Sequence, residues 1–326
     1  MKNTILDVGG LRIGQAHDAN VKTGVTVILP DQPALCAVDV RGGGPGTRET
    51  DTLSDGGLID KVHAICLSGG SVYGLAAADG VCVWLGEQRI GYAPGPAPIP
   101  VSPIVPSAIL FDNANGGDKN WGLEPPYRAL GIEACKAASH KLEFGRAGAG
   151  FGATAGLYPG GLGSASEVIN GVTVGAIIAA NPIGSPYMPA TDCPWAWPYE
   201  MDGEFGSKSP PADYTYQEAQ DTKLAFLKAA QNQKAQSTVI GTVAVNAALT
   251  QKQLKRIAIM AQDGIAMAVQ PSHTPLDGDT IFALSASDTS CEPPSCQTPA
   301  ALAEIGAAAA RCVARALMRG IYEASR

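Results

Sequence analysis

The sequence predicts an α+β fold in which helices cover β-sheets. Short runs of β-branched residues bounded by Gly or Pro predict strands, and stretches with apolar residues at helical spacing predict helices. The two kinds of element are mixed without the strict strand–helix alternation of a parallel α/β protein. With 326 residues, 45% of them hydrophobic, the chain is long enough to bury the core of one large domain.

The N-terminal half combines strands, Gly-rich turns and two helices. The third strand begins at His63 and runs into the turn Ser68-Gly-Gly-Ser71, which leads into the first helix. Residues 92–106 are rich in Pro and therefore cannot form a helix. The predicted strands are 24–29, 36–41 and 63–67, and the predicted helices are about 71–86 and 126–140.

The C-terminal half begins with a Gly-rich segment, 145–163, which lacks the context of a phosphate-binding loop. A Pro-rich segment, 185–220, has no periodicity and is interpreted as a loop or lid. Thr250 and Thr298 are predicted to cap the last two helices, the second of which has Pro at its first position. The predicted strands are 171–180, 238–246 and 281–284, and the predicted helices begin after Thr250 and at Thr298.

Composition excludes several classes of function. The net charge of −7 argues against a nucleic-acid partner, because phosphate binding needs clustered Lys and Arg. No signal peptide and no run of 18 apolar residues is visible, so we expect a cytoplasmic protein without membrane association. Cys291 and Cys296 bracket four residues rather than forming a Cys-x-x-Cys pair, and the sequence predicts neither a metal nor a cofactor.

The most informative feature is an abrupt change around Thr238. The polar stretch 231–236 gives way to an apolar strand whose first residue is Thr238. If the chain is cut there, Thr238 gains a free α-amine with a pKa of about 7.7–8.0, which can act as the base for its own hydroxyl. The alternative is that a strand simply begins with Thr, as many do.

Two carboxylates are candidates for a role beside this nucleophile. Asp277 and Asp279 flank Gly278, and side chains at i and i+2 of an extended segment point to the same face. Such a pair can hold an ammonium group and shuttle protons. The alternative is an Asp-Gly turn with solvated carboxylates, and the acidic repeat of a calcium loop is missing.

Two further side chains are candidates for stabilising an oxyanion. Asn181 follows an apolar strand and precedes Pro182, and its amide can donate a hydrogen bond; the alternative is a turn that ends the strand. Tyr73 lies at a strand-to-helix turn and has a phenol that can do the same, unless it is only a packed aromatic side chain. We expect a structural role for His273.

Several segments together resemble the L-aminopeptidase/D-esterase family, which includes β-aminopeptidases and nylon-oligomer hydrolases. The resemblance extends over nearly the whole chain in order and spacing. The segments that carry it are Val38-Asp-Val-Arg-Gly-Gly-Gly-Pro-Gly-Thr, Ala64-Ile-Cys-Leu-Ser-Gly-Gly-Ser-Val-Tyr-Gly-Leu, Val101-Ser-Pro-Ile-Val-Pro-Ser-Ala-Ile-Leu-Phe-Asp, Gly145-Arg-Ala-Gly-Ala-Gly, Gly160-Gly-Leu-Gly-Ser-Ala-Ser, Ala180-Asn-Pro-Ile-Gly, Thr238-Val-Ile-Gly-Thr-Val-Ala-Val-Asn and His273-Thr-Pro-Leu-Asp-Gly-Asp-Thr.

The resemblance implies an αββα-type sandwich, as in the ornithine acetyltransferases. It implies one hydrolase domain that cuts itself into an α chain (1–237) and a β chain (238–326) and assembles into a homotetramer or larger oligomer. Thr238 matches the family's nucleophile, Asn181 and Tyr73 its oxyanion region, and Asp277 and Asp279 the acidic or polar pair behind the nucleophile.

The chain departs from the family pattern at two positions. Ser237 precedes the cut where Asn or Gly is usual, so cleavage between Gln236 and Ser237 is a second possibility. Leu157 stands where many members have a lysine after the Gly-Ala-rich loop, and a lysine there would tune charge and pKa values.

These inferences predict an aminopeptidase or amidohydrolase that cleaves small peptides or amino-acid amides through an acyl-enzyme on Thr238. The resemblance implies substrates with a free terminal amine, which Asp277 or Asp279 can help to hold. One alternative is an acyltransferase of the ornithine acetyltransferase type. Another is an unprocessed, non-catalytic member, motivated by Ser237 and Leu157.

Overall fold

The strands of the computed structural model form two main sheets and one small hairpin. The structure describes residues 1–54, 56–225, 237–286, 296 and 298–326. The five-stranded sheet has the order β1-β2-β6-β7-β4, and the six-stranded sheet has the order β10-β11-β12-β13-β3-β5. The strands are β1 (Leu11–Asp18), β2 (Thr23–Pro30), β3 (Ala34–Val40), β4 (Thr47–Arg48), β5 (Lys61–Val62), β6 (Ile65–Ser68), β7 (Ser107–Ile109), β8 (Thr154–Ala155), β9 (Tyr158–Pro159), β10 (Gly161–Ile169), β11 (Val172–Asn181), β12 (Thr238–Val245) and β13 (Thr280–Ser285).

Within the described residues, the two sheets and the four helices that are described in full stack in the order αββα. The helices are α1 (Ala76–Glu87), α2 (Tyr127–Lys136), α3 (Gln251–Ala266) and α4 (Pro299–Ala324). Helices α1 and α2 cover the five-stranded sheet, and α3 and α4 cover the six-stranded sheet. The inner faces of the sheets form a shared core that includes Ile28, Leu67, Ile177, Ile240 and Phe282. The predicted α+β class with helix-covered sheets is therefore confirmed, and so is the αββα arrangement that the resemblance implied.

Strand β12 is central in the six-stranded sheet, antiparallel to β11 on one side and parallel to β13 on the other. All eight of its residues are buried, because one face meets the inter-sheet core and the other meets the helices. Its register pairs Thr238 with Asn181 at the end of β11. The two candidate residues are thus neighbours, although 57 positions of sequence separate them.

Local sequence signals determine where α3 and α4 begin. The Thr250 hydroxyl accepts a hydrogen bond from Gln253 N, and that glutamine bonds back to form a capping box. The Thr298 hydroxyl accepts from Ala301 N, and Pro299 occupies the first helical position. Helix α4 packs so closely on β10 that a Cβ on Gly163 would lie 2.0 Å from Ala316 O. Its Ala-rich sequence permits this approach.

Some elements differ from their predictions. Strand β1 was not predicted, because its alternation is weak and only its pairing with β2 makes it a strand. The helix predicted from residue 71 begins with a 3-10 turn, Ser71–Leu75, before α1. The polar stretch 231–236 and Cys291 lie outside the described residues. Of the helices in the described part of the chain, none is long and apolar enough to cross a membrane.

Candidate active site

Thr238 begins β12 with its hydroxyl against the peptide bond that precedes it. The Thr238 Oγ1 donates a hydrogen bond to Ser237 O at 2.5 Å. Thr238 is 4% exposed, and it lines a cleft of about 520 Å³. The hydroxyl of the candidate nucleophile is therefore in contact with the carbonyl oxygen of the predicted junction.

The peptide group of Ser237 is held on both sides by the segment that contains Asp277. Ser237 N donates to Leu276 O at 3.1 Å, and Ser237 O accepts from Gly278 N at 2.9 Å. The Gly278 N–H is thus aimed at the oxygen that becomes negative if Thr238 attacks the Ser237 carbonyl. Side-chain reasoning did not identify this backbone donor, although Gly278 was visible as the spacer between the two aspartates.

Gly278 is required by the close approach of this segment to the nucleophile. A Cβ on Gly278 would lie 2.8 Å from Thr238 Oγ1 and 2.7 Å from Gly44 O. The loop of Gly42 to Gly44 lies on the same segment, with Gly44 N donating to Asp277 O at 2.8 Å. A Cβ on Gly42 would meet that carbonyl oxygen at 2.2 Å, so the Gly-Gly-Gly run permits two backbones to pack together.

Both predicted carboxylates are buried and fully engaged in hydrogen bonds. Asp277 accepts from Ile183 N at 3.2 Å and from Thr274 N and Oγ1 at 2.9 and 2.7 Å. Asp279 accepts from Val239 N at 2.8 Å and from His273 N and Nδ1 at 3.2 and 2.7 Å. Burial and the neighbouring charge of Asp279 raise the pKa of Asp277. The solvated-turn alternative is therefore wrong, since each carboxylate is only 1% exposed.

His273 supports the second carboxylate. Its Nδ1 faces Asp279 Oδ2, and its Nε2 faces Gln262 O at 3.2 Å. Burial alone would lower the pKa of His273, but the hydrogen bond and charge of Asp279 outweigh it and the pKa is raised. Since both ring nitrogens face acceptors, the imidazolium fits this position best. His273 contacts Asp279 and not Thr238, in agreement with the expected structural role.

Asn181 is fully buried, and its amide orientation is fixed by its neighbours. The Oδ1 accepts hydrogen bonds from Thr154 N at 3.0 Å and from Lys223 Nζ at 3.2 Å. The Nδ2 donates to Phe111 O at 3.0 Å. Because donors surround the oxygen, the nitrogen must point toward Phe111, which lines the Thr238 cleft.

Lys223 is a site residue that the sequence did not reveal. Its Nζ lies 3.2 Å from each of three oxygens, Asn181 O, Asn181 Oδ1 and Ser237 Oγ. The residue as a whole is half-buried, with the amine turned inward. Burial lowers the pKa of Lys223 to about 7, although the charge of Asp277 opposes the shift. It lies at the start of a helical turn, residues 223–225, that follows the Pro-rich segment, and no periodicity or motif in the sequence marks it.

Tyr73 stands apart from this group. Its ring packs edge-on against Trp121, with centroids 5.5 Å apart, and half of its surface is exposed. Its neighbours Ser71 and Val72 line the Thr238 cleft. A role for the Tyr73 phenol in holding an oxyanion stays a prediction.

The Thr238 cleft is lined by a mixture of polar and apolar groups. No ionisable side chain is among the described residues that line it, and they include Gly44, Thr47, Ser71, Ile109, Thr238 and Leu276. A larger cleft of about 830 Å³ borders Thr222 and Leu224, but Thr238 does not line it. We therefore take the smaller cleft as the candidate substrate site. Within the described residues, no three His, Cys, Asp or Glu side chains are grouped to hold a metal ion.

Comparison with known sequences points to one family. The model of peptidase family S58 matches residues 3–326. The chain is 44% identical to an uncharacterized aminopeptidase of Mycobacterium tuberculosis (strain ATCC 25618 / H37Rv), over 99% of this chain and 94% of the relative. It is 33% identical to a 6-aminohexanoate-oligomer endohydrolase of Kocuria sp. (strain KY2), over 86% of this chain and 74% of the relative.

Solved structures agree on the fold. The L-aminopeptidase D-ala-esterase/amidase of Ochrobactrum anthropi, described as a variant of the Ntn hydrolase fold, has a TM-score of 0.69 at 21% identity and covers 99% of this chain and 86% of its own. A β-aminopeptidase of Burkholderia sp. has a TM-score of 0.65 at 20% identity, with 98% and 86% covered.

Proposed function

The chain belongs to peptidase family S58, and from that premise we propose that it is a self-cleaving aminopeptidase whose nucleophile is Thr238. Membership confirms the resemblance drawn from the sequence motifs and makes the protein a peptidase. The observation that carries the finer proposal is the contact of the Thr238 hydroxyl with the Ser237 carbonyl, which Gly278 N–H holds from the other side.

In the proposed self-cleavage, Thr238 Oγ attacks the carbonyl carbon of Ser237. The Gly278 N–H stabilises the oxyanion, the C–N bond breaks, and the proton that the hydroxyl loses is transferred to the nitrogen of Thr238, which becomes a free amine. The product is an ester between Ser237 and Thr238 Oγ. Water then hydrolyses this ester, which leaves a carboxylate on Ser237 and a free α-amine on Thr238.

In the proposed turnover, the freed amine accepts the proton of the Thr238 hydroxyl, which attacks the substrate amide. The leaving amine departs with a proton, and water releases the acyl group from its ester with Thr238. Asn181 Nδ2 supports this step, because one of its two hydrogens bonds Phe111 O and the other is available for an oxyanion. Asp277 and Asp279 act by holding the backbone around the junction rather than by meeting the substrate directly.

The test is the N-terminus of the second chain. Purified protein should contain two chains, and Edman degradation of the smaller one should give Thr-Val-Ile-Gly. Thr238→Ala should stay a single chain and be inactive on amino-acid p-nitroanilides, whereas Thr238→Ser keeps a hydroxyl and should still be cut. An active preparation made only of intact 326-residue chains would refute the proposal.

One observation favours a cut one residue earlier. The Ser237 hydroxyl lies 3.2 Å from Lys223 Nζ, and a lysine with a lowered pKa is a suitable base for a serine nucleophile. Gln236, which would precede that cut, lies outside the described residues. The same Edman experiment decides between them, because this cut gives Ser-Thr-Val-Ile.

A further inference from the structure

We propose that the place of Ser237 is the acyl-residue subsite of the mature enzyme, and that Lys223 makes this subsite prefer an N-terminal residue with a short hydroxyl side chain. The inference rests on the proposed nucleophile, Thr238. It assigns the substrate class that the cleft does not reveal, because no ionisable side chain is among the described residues that line it.

Self-cleavage and turnover pass through the same kind of ester on Thr238. Self-cleavage produces an ester between the Ser237 carbonyl carbon and Thr238 Oγ, beside the new free amine. Turnover produces the same ester, with the first residue of the substrate in the place of Ser237. In both esters water must attack a carbonyl carbon that is bonded to Thr238 Oγ, so the contacts of Ser237 describe how an acyl residue is bound.

Ser237 is 1% exposed, and its nitrogen, carbonyl oxygen and side-chain oxygen each have a partner. Its nitrogen donates to Leu276 O, and a substrate amine in that place can do the same. Its carbonyl oxygen accepts from Gly278 N, and its side-chain oxygen lies 3.2 Å from Lys223 Nζ. The buried side chain of Ser237 therefore ends at the lysine.

The segment that carries Lys223 is held by contacts that do not include Ser237. Lys223 N donates to Ile183 O at 3.0 Å, and Leu157 N donates to Asp221 O at 3.0 Å. The Asp221 carboxylate accepts from the Tyr158 hydroxyl at 2.7 Å and from Ser185 Oγ at 2.8 Å. The lysine should therefore stay in place after the new end at Ser237 has left.

A turn at Gly156 explains how this segment can dock. Gly156 has a φ of +55°, and a Cβ there would lie 2.5 Å from Asp221 O. The turn at Leu157, where the sequence lacks the expected lysine, thus binds the segment that brings Lys223 into the site. The two departures noted in the sequence, Leu157 and Ser237, both contact this segment.

The hydrogen bond to Lys223 Nζ makes the rate depend on the side chain of the substrate's first residue. A seryl residue gives Lys223 Nζ an acceptor, whereas an alanyl residue leaves one buried donor without a partner. An unmade hydrogen bond to a buried, partly charged donor is expected to cost about tenfold or more in rate. The leaving group extends into the cleft, where Val72, Leu75 and Ile109 favour an apolar amine.

The experiment compares kcat/KM for L-seryl and L-alanyl p-nitroanilides, which share one leaving group. The mature protein should prefer the seryl substrate about tenfold. Lys223→Met should bring the ratio close to one, and Lys223→Gln, which keeps a donor, should retain part of it. Lys252→Met makes the same change at an exposed position of α3 and should leave the ratio unchanged.

The rate of self-cleavage provides an independent test, because Ser237 is itself the acyl residue in that reaction. Ser237→Ala should slow the cut by a factor similar to the seryl-to-alanyl difference. Lys223→Met should slow the cut of the Ser237 precursor more than that of the Ser237→Ala precursor. The mature Ser237→Ala enzyme should keep the parent preference for seryl substrates, since its β chain is unchanged.

Two outcomes separate failure of the inference from failure of the proposed function. If the protein is cut before Thr238 and turns over both substrates, but the parent shows no seryl preference or Lys223→Met keeps it, the acyl subsite is wrong and the nucleophile stands. If the parent is never cut at Thr238 and cleaves neither substrate, the proposed nucleophile fails and this inference fails with it.

Discussion

The two walls of the Thr238 cleft each depend on a buried aspartate, but the two aspartates have different partners. On one wall, Asp112 accepts hydrogen bonds from Gly70 N and the Thr23 hydroxyl, both at 2.7 Å, and so holds the turn before Ser71. On the other wall, Asp277 accepts from three donors, and its neighbour Gly278 binds the Ser237 carbonyl.

The direction of the pKa shift is the same for the aspartates of the two walls and does not distinguish them. Burial raises the pKa of Asp112 as it raises that of Asp277. The Asp112 wall holds a turn, whereas the Asp277 wall holds the Ser237 carbonyl against the hydroxyl of Thr238, the proposed nucleophile. On both walls a buried carboxylate holds backbone in place. What distinguishes the candidate active site is the contact between the Thr238 hydroxyl and the Ser237 carbonyl.

The largest expected effect is on Gly278, where the second wall touches the nucleophile. In Gly278→Ala, the new Cβ would lie 2.8 Å from Thr238 Oγ1, so the hydroxyl or the segment must move. A displacement of about 1 Å at a reacting centre can cost on the order of 100-fold in rate. We expect the self-cleavage rate, followed by gel densitometry after synthesis, to fall by about that factor.

Gly86→Ala provides the matched control. Gly86 lies in α1, and a Cβ there meets nothing within 4 Å. Replacing a helical Gly by Ala should stabilise the protein by about 0.5–1 kcal/mol, without changing the cut. Equal cleavage rates for the Gly278→Ala and Gly86→Ala proteins would contradict the role assigned to the Asp277 wall.

A smaller effect is expected when each carboxylate becomes an amide. Asp277 and Asp279 each face three donors, so in Asp277→Asn or Asp279→Asn one donor must face an NH₂ group. We expect both variants to fold, because an unsatisfied donor costs about 1–3 kcal/mol, but to cut and turn over about 10- to 100-fold more slowly. Rates of cutting and of p-nitroanilide hydrolysis, with far-UV circular dichroism, measure this.

Asp112→Asn is the matching change on the first wall. One of its two donors is the Thr23 hydroxyl, which can turn and accept a hydrogen bond from the new NH₂ group. Its cleavage rate should therefore stay within about twofold of the parent, with a stability loss of about 1 kcal/mol. A slower cut in Asp112→Asn than in Asp277→Asn would reverse the assignment of the two walls.

The last prediction concerns the pH dependence of the free energy of unfolding and not a rate. The pKa of Lys223 is about 7 in the folded chain and about 10.4 in an unfolded one, so between these values only the unfolded chain binds the proton. Stability should then rise with pH from about 7 to about 10, by up to about 1 kcal/mol per pH unit. Urea unfolding of Thr238→Ala precursors, with and without Lys223→Met, isolates this contribution at pH 7 and pH 9. Parallel pH profiles for the two proteins would mean that the amine stays protonated.

The sequence determined the elements whose signals are local. The apolar run from Thr238 predicted β12, and Thr250 and Thr298 predicted the starts of α3 and α4, because caps and periodicity act within a few residues. The Asp277-Gly-Asp279 spacing indicated a pair of carboxylates that could lie beside Thr238. The family motifs predicted the layer order as well, although residue patterns alone reached only the α+β class.

Only the tertiary structure decided which groups meet. Asn181 lies beside Thr238 because of the register of two antiparallel strands, and Gly278 N–H reaches Ser237 O because a third segment crosses the strand end. Lys223 reaches the same place from the start of a helical turn whose docking depends on Gly156 and Asp221. None of these contacts follows from periodicity, because each joins distant parts of the chain whose approach is set by packing and backbone hydrogen bonds.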